Sequence, residues 1–366
     1  MRKLSACIAA FAAGIGLWTS AQAGTLILGA YPNSLITVND QNGSITGRIQ
    51  LQTGLPIAMR LSNDKKRLYV STNDHTGIEV IDVASRKVIN SFVLDTETTR
   101  YRFSGGTPDP SGKYFYTMLT QIDKELDHYN VTSLKMAKID LEQKKILQTL
   151  DIPKADENDF RGYGRGKFEI SPDGKYLYQF GDKVMIMDAA TLKIVDRIEL
   201  SKPDLPGFEN VNFGAALDTF IDPNHYISVF NAPDQFRHLP VFGVANFDLT
   251  TRQYTFAPIG PAPQSMTGLQ VAPNKKDAYV VVSTTLNATN KRCEIWHFDL
   301  TTNVMKNKSE FTCKTRFYYG MSRDGKKLYI YGASFDLEVY DAQTLKYEKT
   351  WDLQNDITMA GYVLVN

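Results

Sequence analysis

The chain is poor in the residues that carry covalent and metal chemistry. It has three cysteines, Cys7, Cys293 and Cys313, and no C-x-x-C-H, so it attaches no c-type haem of its own. Its five histidines show neither H-x-H nor H-E-x-x-H spacing, the arrangements that place two imidazoles on one metal. No metal site is expected. No G-x-S-x-G elbow presents a serine nucleophile. The glycine-rich stretch 162–166 lacks the Gly-Lys-Ser/Thr ending of a phosphate loop. Carboxylates are spread through turns, and no pair stands out as acid and base, so no catalytic residue is assigned. An excess of one charge is also missing. The 41 basic and 40 acidic residues leave a net charge of +1, which gives no global attraction to nucleic acid or to an anionic membrane. Beyond the N-terminus no apolar run is long enough to span a bilayer.

The N-terminus is the exception. Arg2 and Lys3 precede an apolar stretch over residues 4–18, and Ala21-Gln22-Ala23 offers small residues to a signal peptidase before Gly24. This pattern predicts a secretory signal peptide over 1–23, an exported mature chain over 24–366 and, from the A-x-A site, a bacterial periplasm. Leu4-Ser5-Ala6-Cys7 precedes the apolar stretch instead of following it, so it is no lipoprotein cleavage box. Loss of Cys7 leaves Cys293 and Cys313, which an oxidising compartment allows to pair. A hairpin turning near residues 299–303 brings Cys293 opposite residues near 310, so a disulfide is expected.

The chain repeats itself. Residues 168–200, FEISPDGKYLYQFGDKVMIMDAATLKIVDRIEL, are the clearest copy, and 61–94 and 319–353 repeat it. Looser copies cover 105–152, 217–259 and 269–311. Ser171-Pro172-Asp173-Gly174 sets a tight turn, because proline fixes φ and glycine accepts a positive one. Tyr176-Leu177-Tyr178 and Val184-Met185-Ile186-Met187 are strands, and Asp188 opens a hairpin in which its carboxylate accepts local N–H groups. Equivalent residues are Asn39, Asp82, Asp140, Asp248, Asp299 and Asp341. Each is followed six positions later by an apolar or aromatic residue, from Ile45 to Tyr347. Seven such markers predict an all-β, seven-bladed propeller of four-stranded antiparallel blades in one domain. Residues 26–51 supply only three strands and 357–365 an extra one, so the C-terminal strand is expected to complete blade 1 and close the ring.

Function must then be argued from connections, not from the fold. The crossings between blades and the loops between second and third strands share one end of the ring. The crossings carry arginine with aromatics: Arg100-Tyr101-Arg102-Phe103 before blade 3, Phe160-Arg161-Gly162-Tyr163 before blade 4, and Arg316-Phe317-Tyr318 before blade 7. Arginine and aromatics are the enriched chemistry of interface anchors. Long loops are expected in blades 3, 5 and 6, over residues 121–133, 231–240 and 284–291. The first two contain His128-Tyr129 and Phe236-Arg237-His238. The site-lining or partner-face candidates are therefore Tyr101, Arg102, His128, Tyr129, Arg161, Tyr163, Phe236, His238, Arg316 and Tyr318. The other end is expected to consist of short polar turns.

The repeat resembles the exported bacterial YVTN propellers. The stretches T-P-D-P-S-G-K-Y-F-Y (107–116), L-D-H-Y (126–129) and D-G-K-K-L-Y-I-Y-G-A-S-F-D-L-E-V-Y-D-A-Q-T-L (324–345), with the terminal G-Y-V-L-V (361–365), are similar to the β subunit of quinohemoprotein amine dehydrogenase. That resemblance implies a periplasmic heterotrimer oxidising primary amines. A dihaem cytochrome c α subunit and a small γ subunit bearing cysteine tryptophylquinone would hold the redox groups. This chain would bind no cofactor itself, but would support γ and help wall off the amine site. The alternatives are a stand-alone YVTN-type propeller binding a protein or surface partner, and a metal-dependent propeller hydrolase.

Overall fold

A computed structural model describes residues 24–73, 76–160, 167–200, 211–217, 219–233, 240–285, 290–314 and 316–365, the side chains of 158–159 aside. The expected signal peptide and the candidates Arg161, Tyr163, Phe236 and His238 lie outside the described residues. Seven antiparallel sheets follow one another around a ring, and each holds four principal strands. Blade 4 shows the plan from the axis outward: Phe168–Ile170, Tyr176–Phe180, Lys183–Asp188 and Ile194–Glu199. The two middle strands are apolar almost without a break because a neighbouring blade covers each face. In blade 2, Arg67–Thr72 and Gly77–Asp82 are buried along nearly their whole length. The outermost strands meet solvent at the rim and alternate, as Lys145–Asp151 does in blade 3.

The core is a series of clusters between blades. Leu26, Leu28 and Val38 of blade 1 pack with Tyr329, Tyr331 and Val339 of blade 7. Phe180 of blade 4 stacks on Tyr226 of blade 5, with centroids 3.8 Å apart. Blade 1 is completed by Ile357–Val365, which pairs with Thr25–Ala30 from Thr25↔Val365 to Ala30↔Ile357. The first and last strands of the chain thus share one sheet, and closure leaves no open edge there. Gly320, in the inner strand of blade 7, is required there: a Cβ would fall within 1.9 Å of the Tyr362 ring.

All seven expected hairpins are present. The Asp188 carboxylate accepts both the N–H and the hydroxyl of Thr191 at 2.7 Å, and Asp82, Asp248, Asp299 and Asp341 repeat the backbone contact. In each hairpin the residue four positions after the marker takes a positive φ: Gly43, Arg86, Lys144, Leu192, Arg252, Asn303 and Leu345, between 55° and 75°. Only one of these is glycine. The left-handed residue lets a turn match the strand twist, and side-chain anchoring at the marker lets ordinary residues hold it.

Three expectations need correction. Arg100-Tyr101-Arg102-Phe103 is no crossing loop but belongs to a ten-residue inner strand, Thr99–Pro108. Much of the blade 3 insertion is also strand: Tyr114–Lys124 runs on past the blade, and Tyr129–Val131 returns beside it. Finally, the end opposite the crossings is not built only of short turns. Between Asn212–Phe213 and His225–Pro233 of blade 5 a long segment leaves its own blade.

Candidate functional site

Antiparallel strands fix which connections share an end of the ring. Crossings and the loops joining second to third strands lie at one end, the crossing face. First-to-second turns and the marker hairpins lie at the other, the hairpin face.

The hairpin face is sealed at the axis by blade 5. Leu217 N–H donates to Leu269 O at 2.9 Å, and Leu269 N–H to Ala215 O at 3.1 Å, joining the segment to blade 6. The Thr219 hydroxyl donates to Gln270 Oε1 at 2.6 Å and lies 3.0 Å from the Tyr362 hydroxyl on blade 1's inner strand. Lys65 Nζ, from blade 2, donates to Phe220 O at 2.7 Å. Phe220 packs against clusters of blades 1, 6 and 7, and Ile221 against that of blades 1 and 2. Residues of blade 5 therefore reach the far side of the ring and plug the channel. Burial pushes the Tyr362 phenol up to about 12, so it stays a neutral hydrogen-bonding group. Arg60 on the inner strand of blade 2 and Glu169 on that of blade 4 form an ion pair, both largely shielded from water.

Beside the plug is a mostly apolar pocket of about 330 Å³, lined by Ala216, Phe220, Ile221, Leu269 and Val271. Asp222 and His225 also line it, with His225 Nδ1 3.3 Å from the carboxylate and Lys275 Nζ 3.4 Å away. Burial would raise the Asp222 carboxyl, yet the Asn224 N–H, His225 and Lys275 together bring it below its ordinary value. Asp222 and His225 are a satisfied turn of the plug, which Lys275 meets from the neighbouring turn of blade 6. Among the described residues no three His, Cys, Asp or Glu side chains gather as metal ligands.

The crossing face is built out instead. In blade 3, Thr99–Pro108, Tyr114–Lys124 and Tyr129–Val131 make a three-stranded ribbon beyond the blade, in register Arg100↔Ile122↔Val131. Its tip bears Leu126 and His128, both exposed, and Tyr129 and Val131 are 67% and 59% exposed. His128 Nδ1 is 2.8 Å from Asp127 Oδ1 in open solvent, a pair worth little.

The structure thus brings Tyr101, Arg102, His128 and Tyr129 together on one ribbon. Tyr101 is half-buried, its N–H donating to Asp95 Oδ1 at 3.0 Å. Arg316 is exposed at the crossing into blade 7. Tyr318 begins that blade's inner strand, its ring 6.0 Å from Tyr331. Cys293 and Cys313 are bonded, with Cα atoms 5.3 Å apart, and tie the crossing after blade 6 to that blade's third strand. The plug residues Thr219, Phe220 and Ile221 went unread. Their signal was spacing, since twelve positions separate Phe213 from His225 where six separate Ile170 from Tyr176.

No protein-family model matches the chain, and no curated protein matches it in sequence. Solved structures are similar in fold. A functionally unknown protein from Desulfotomaculum acetoxidans gives a TM-score of 0.56 at 12% identity over 94% of this chain and 99% of that one. The periplasmic gluconolactonase PpgL of Pseudomonas aeruginosa gives 0.54 at 13% over 94% and 99%. Dihydro-heme d1 dehydrogenase NirN, in complex with DHE, gives 0.51 at 14% over 93% and 74%. At such identities these likenesses carry the propeller fold and nothing finer.

Proposed function

We propose that the chain is the non-haem propeller subunit of a periplasmic complex like quinohemoprotein amine dehydrogenase. It would hold a small quinone-bearing subunit and a dihaem cytochrome c subunit while primary amines are oxidised. The observation that carries this reading is the asymmetry of the ring. One end is filled by the chain's own plug, and the other is raised on a ribbon with exposed arginine and aromatic side chains. A channel stopped by packed side chains suits a support better than an enzyme that must pass substrate along its axis. The similar stretches at 107–116, 126–129, 324–345 and 361–365 supply the kind of complex. Two of them, at 107–116 and 126–129, fall on blade 3 and its ribbon.

On this reading cysteine tryptophylquinone and haem c belong to the partners, and this chain's residues bind, orient and exclude water at the amine site. Gentle affinity purification from the native host tests it. The expected result is a complex with a c-type cytochrome and a small cysteine-rich subunit that reduces a dye when a primary amine is added. Recovery of the chain alone would favour a stand-alone binding propeller.

A further inference from the structure

The blade 3 ribbon has two unlike sides, fixed by its register. Residues paired across antiparallel strands share a side, as do residues two apart on one strand. One side carries three rows: Arg102 with Thr120, Arg100 with Ile122 and Val131, and Lys124 with Tyr129. The other carries Tyr101, Phe103 and Asp123, whose carboxylate accepts from the Thr99 hydroxyl at 2.8 Å and from Gln121 at 2.9 Å. Phe103 packs with Tyr69 and Ile78 of blade 2, so this second side is turned to its neighbour. The first side follows the parity of Tyr116 and Met118, which pack with blade 4 lower down, and so overhangs blade 4.

That overhanging side is cationic and apolar at once. Arg100, Arg102, Lys124, Tyr129 and Val131 are all exposed, and no row contains a carboxylate. Among the described residues no acid forms an ion pair with Arg100, Arg102 or Lys124. Some described cations do meet acids, as Lys314 meets Asp336 and Lys306 meets Asp277. The ribbon's acids lie off these rows, Asp123 on the side turned to blade 2 and Glu125 and Asp127 in the tip turn. Tyr129–Val131 is also an end strand of its sheet, with no strand pairing on its outer side among the described residues.

We propose that this side of the ribbon docks an acidic segment of a partner protein, its carboxylates on Arg100, Arg102 and Lys124 and its apolar side chains over Ile122, Tyr129 and Val131. This rests on the partner-holding function above and names the chemistry of the partner's surface. Arginine forks pair with carboxylates bidentately, and unpaired cations raised above the surface speed encounter with an acidic partner.

The test uses the full-length tagged chain in its native host, purified gently. The variants are the pair Arg100→Glu/Arg102→Glu, the conservative pair Arg100→Lys/Arg102→Lys, the single Lys124→Glu, and Lys175→Glu as a hairpin-face control. A photo-crosslinking residue replaces Val131 in a further variant. Because these side chains are exposed and unpaired, melting should be unchanged. Partner recovery should fall at least about tenfold with the charge-reversed pair, less with Lys124→Glu, and not with Lys175→Glu. The wild-type complex should weaken as NaCl is raised from about 50 to about 500 mM. The cross-link should land in a stretch rich in Asp and Glu. Undiminished recovery with charge-reversed variants overturns the ribbon proposal and leaves the partner-holding function standing. A cross-link to lipid, or to a segment without carboxylates, also overturns it. A wild-type chain recovered alone removes the function first and the ribbon proposal with it. If the double variant fails to fold, Lys124→Glu and the cross-link decide alone.

Discussion

The two ends of this ring solve opposite problems with the same kind of material. At the hairpin face a blade 5 segment turns inward and is held by hydrogen bonds to blades 1, 2 and 6. Its polar groups find partners within the chain, and its apolar side chains enter existing clusters. At the crossing face a blade 3 extension turns outward, and its cations and apolar residues find few partners within the described chain. The first insertion is self-satisfied and reads as structure. The second is left incomplete on one side and reads as an interface.

The comparison breaks most severely if closure fails, since the plug is anchored on the closing strand. Deletion of residues 357–365 removes the inner strand of blade 1, burying Ile357, Ala360, Val363, Leu364 and Val365, and the Tyr362 contact to Thr219. A loss of at least about 5 kcal/mol in urea unfolding is expected, from several buried side chains at roughly 1.5–3 kcal/mol each. An unchanged midpoint would show that the ring does not depend on that strand. The disulfide belongs to the crossing face. Replacing both Cys293 and Cys313 by Ala should cost about 3 kcal/mol in the chain-entropy account, because a closed loop in the unfolded chain is lost. Equal stability of the oxidised native protein and the doubly substituted one would count against it.

At the plug, Phe220→Ala should cost about 2 kcal/mol, less than a full core truncation because the ring is only partly buried. Partner recovery should be unaffected. A variant that keeps its stability but loses its partners would place the interface on the wrong end. The smallest effect concerns the repeated hairpin. Asp188→Ala should cost about 1 kcal/mol, whereas Asp188→Asn should be close to neutral at pH 7, since Asn39 fills the same place in blade 1. The Thr191 hydroxyl and N–H hold the Asp188 carboxyl below its ordinary value. A carboxyl lowered by folding stabilises above its unfolded pKa, and that contribution is lost as pH falls through the folded one. Asp188→Asn should therefore flatten the fall in stability below about pH 4, and identical acid profiles would contradict the role given to the carboxylate.

The architecture was legible because its determinants are local and repeated. Two buried strands and a marker residue recur seven times, and each is written in adjacent residues. Even so, the left-handed positions after the markers were hidden. Arg86, Lys144, Leu192, Arg252 and Leu345 carry no glycine signal, and are held by the side-chain contact four positions earlier. The site was less legible because its determinants are not local. Arg100 and Arg102 were recognised as anchors, but only pairing with Tyr114–Lys124 puts them beside Val131 and Tyr129. The pairing of Arg60 with Glu169 across 109 positions has no sequence signature at all.

The most direct test of the two-faced account is hydrogen–deuterium exchange on the chain alone and within the complex from its native host. The account predicts new protection in the complex over residues 99–103 and 120–131, and none over 62–65, 172–175 or 219–222. Protection gained over the plug and turns, with the ribbon exchanging as in the free chain, would contradict it.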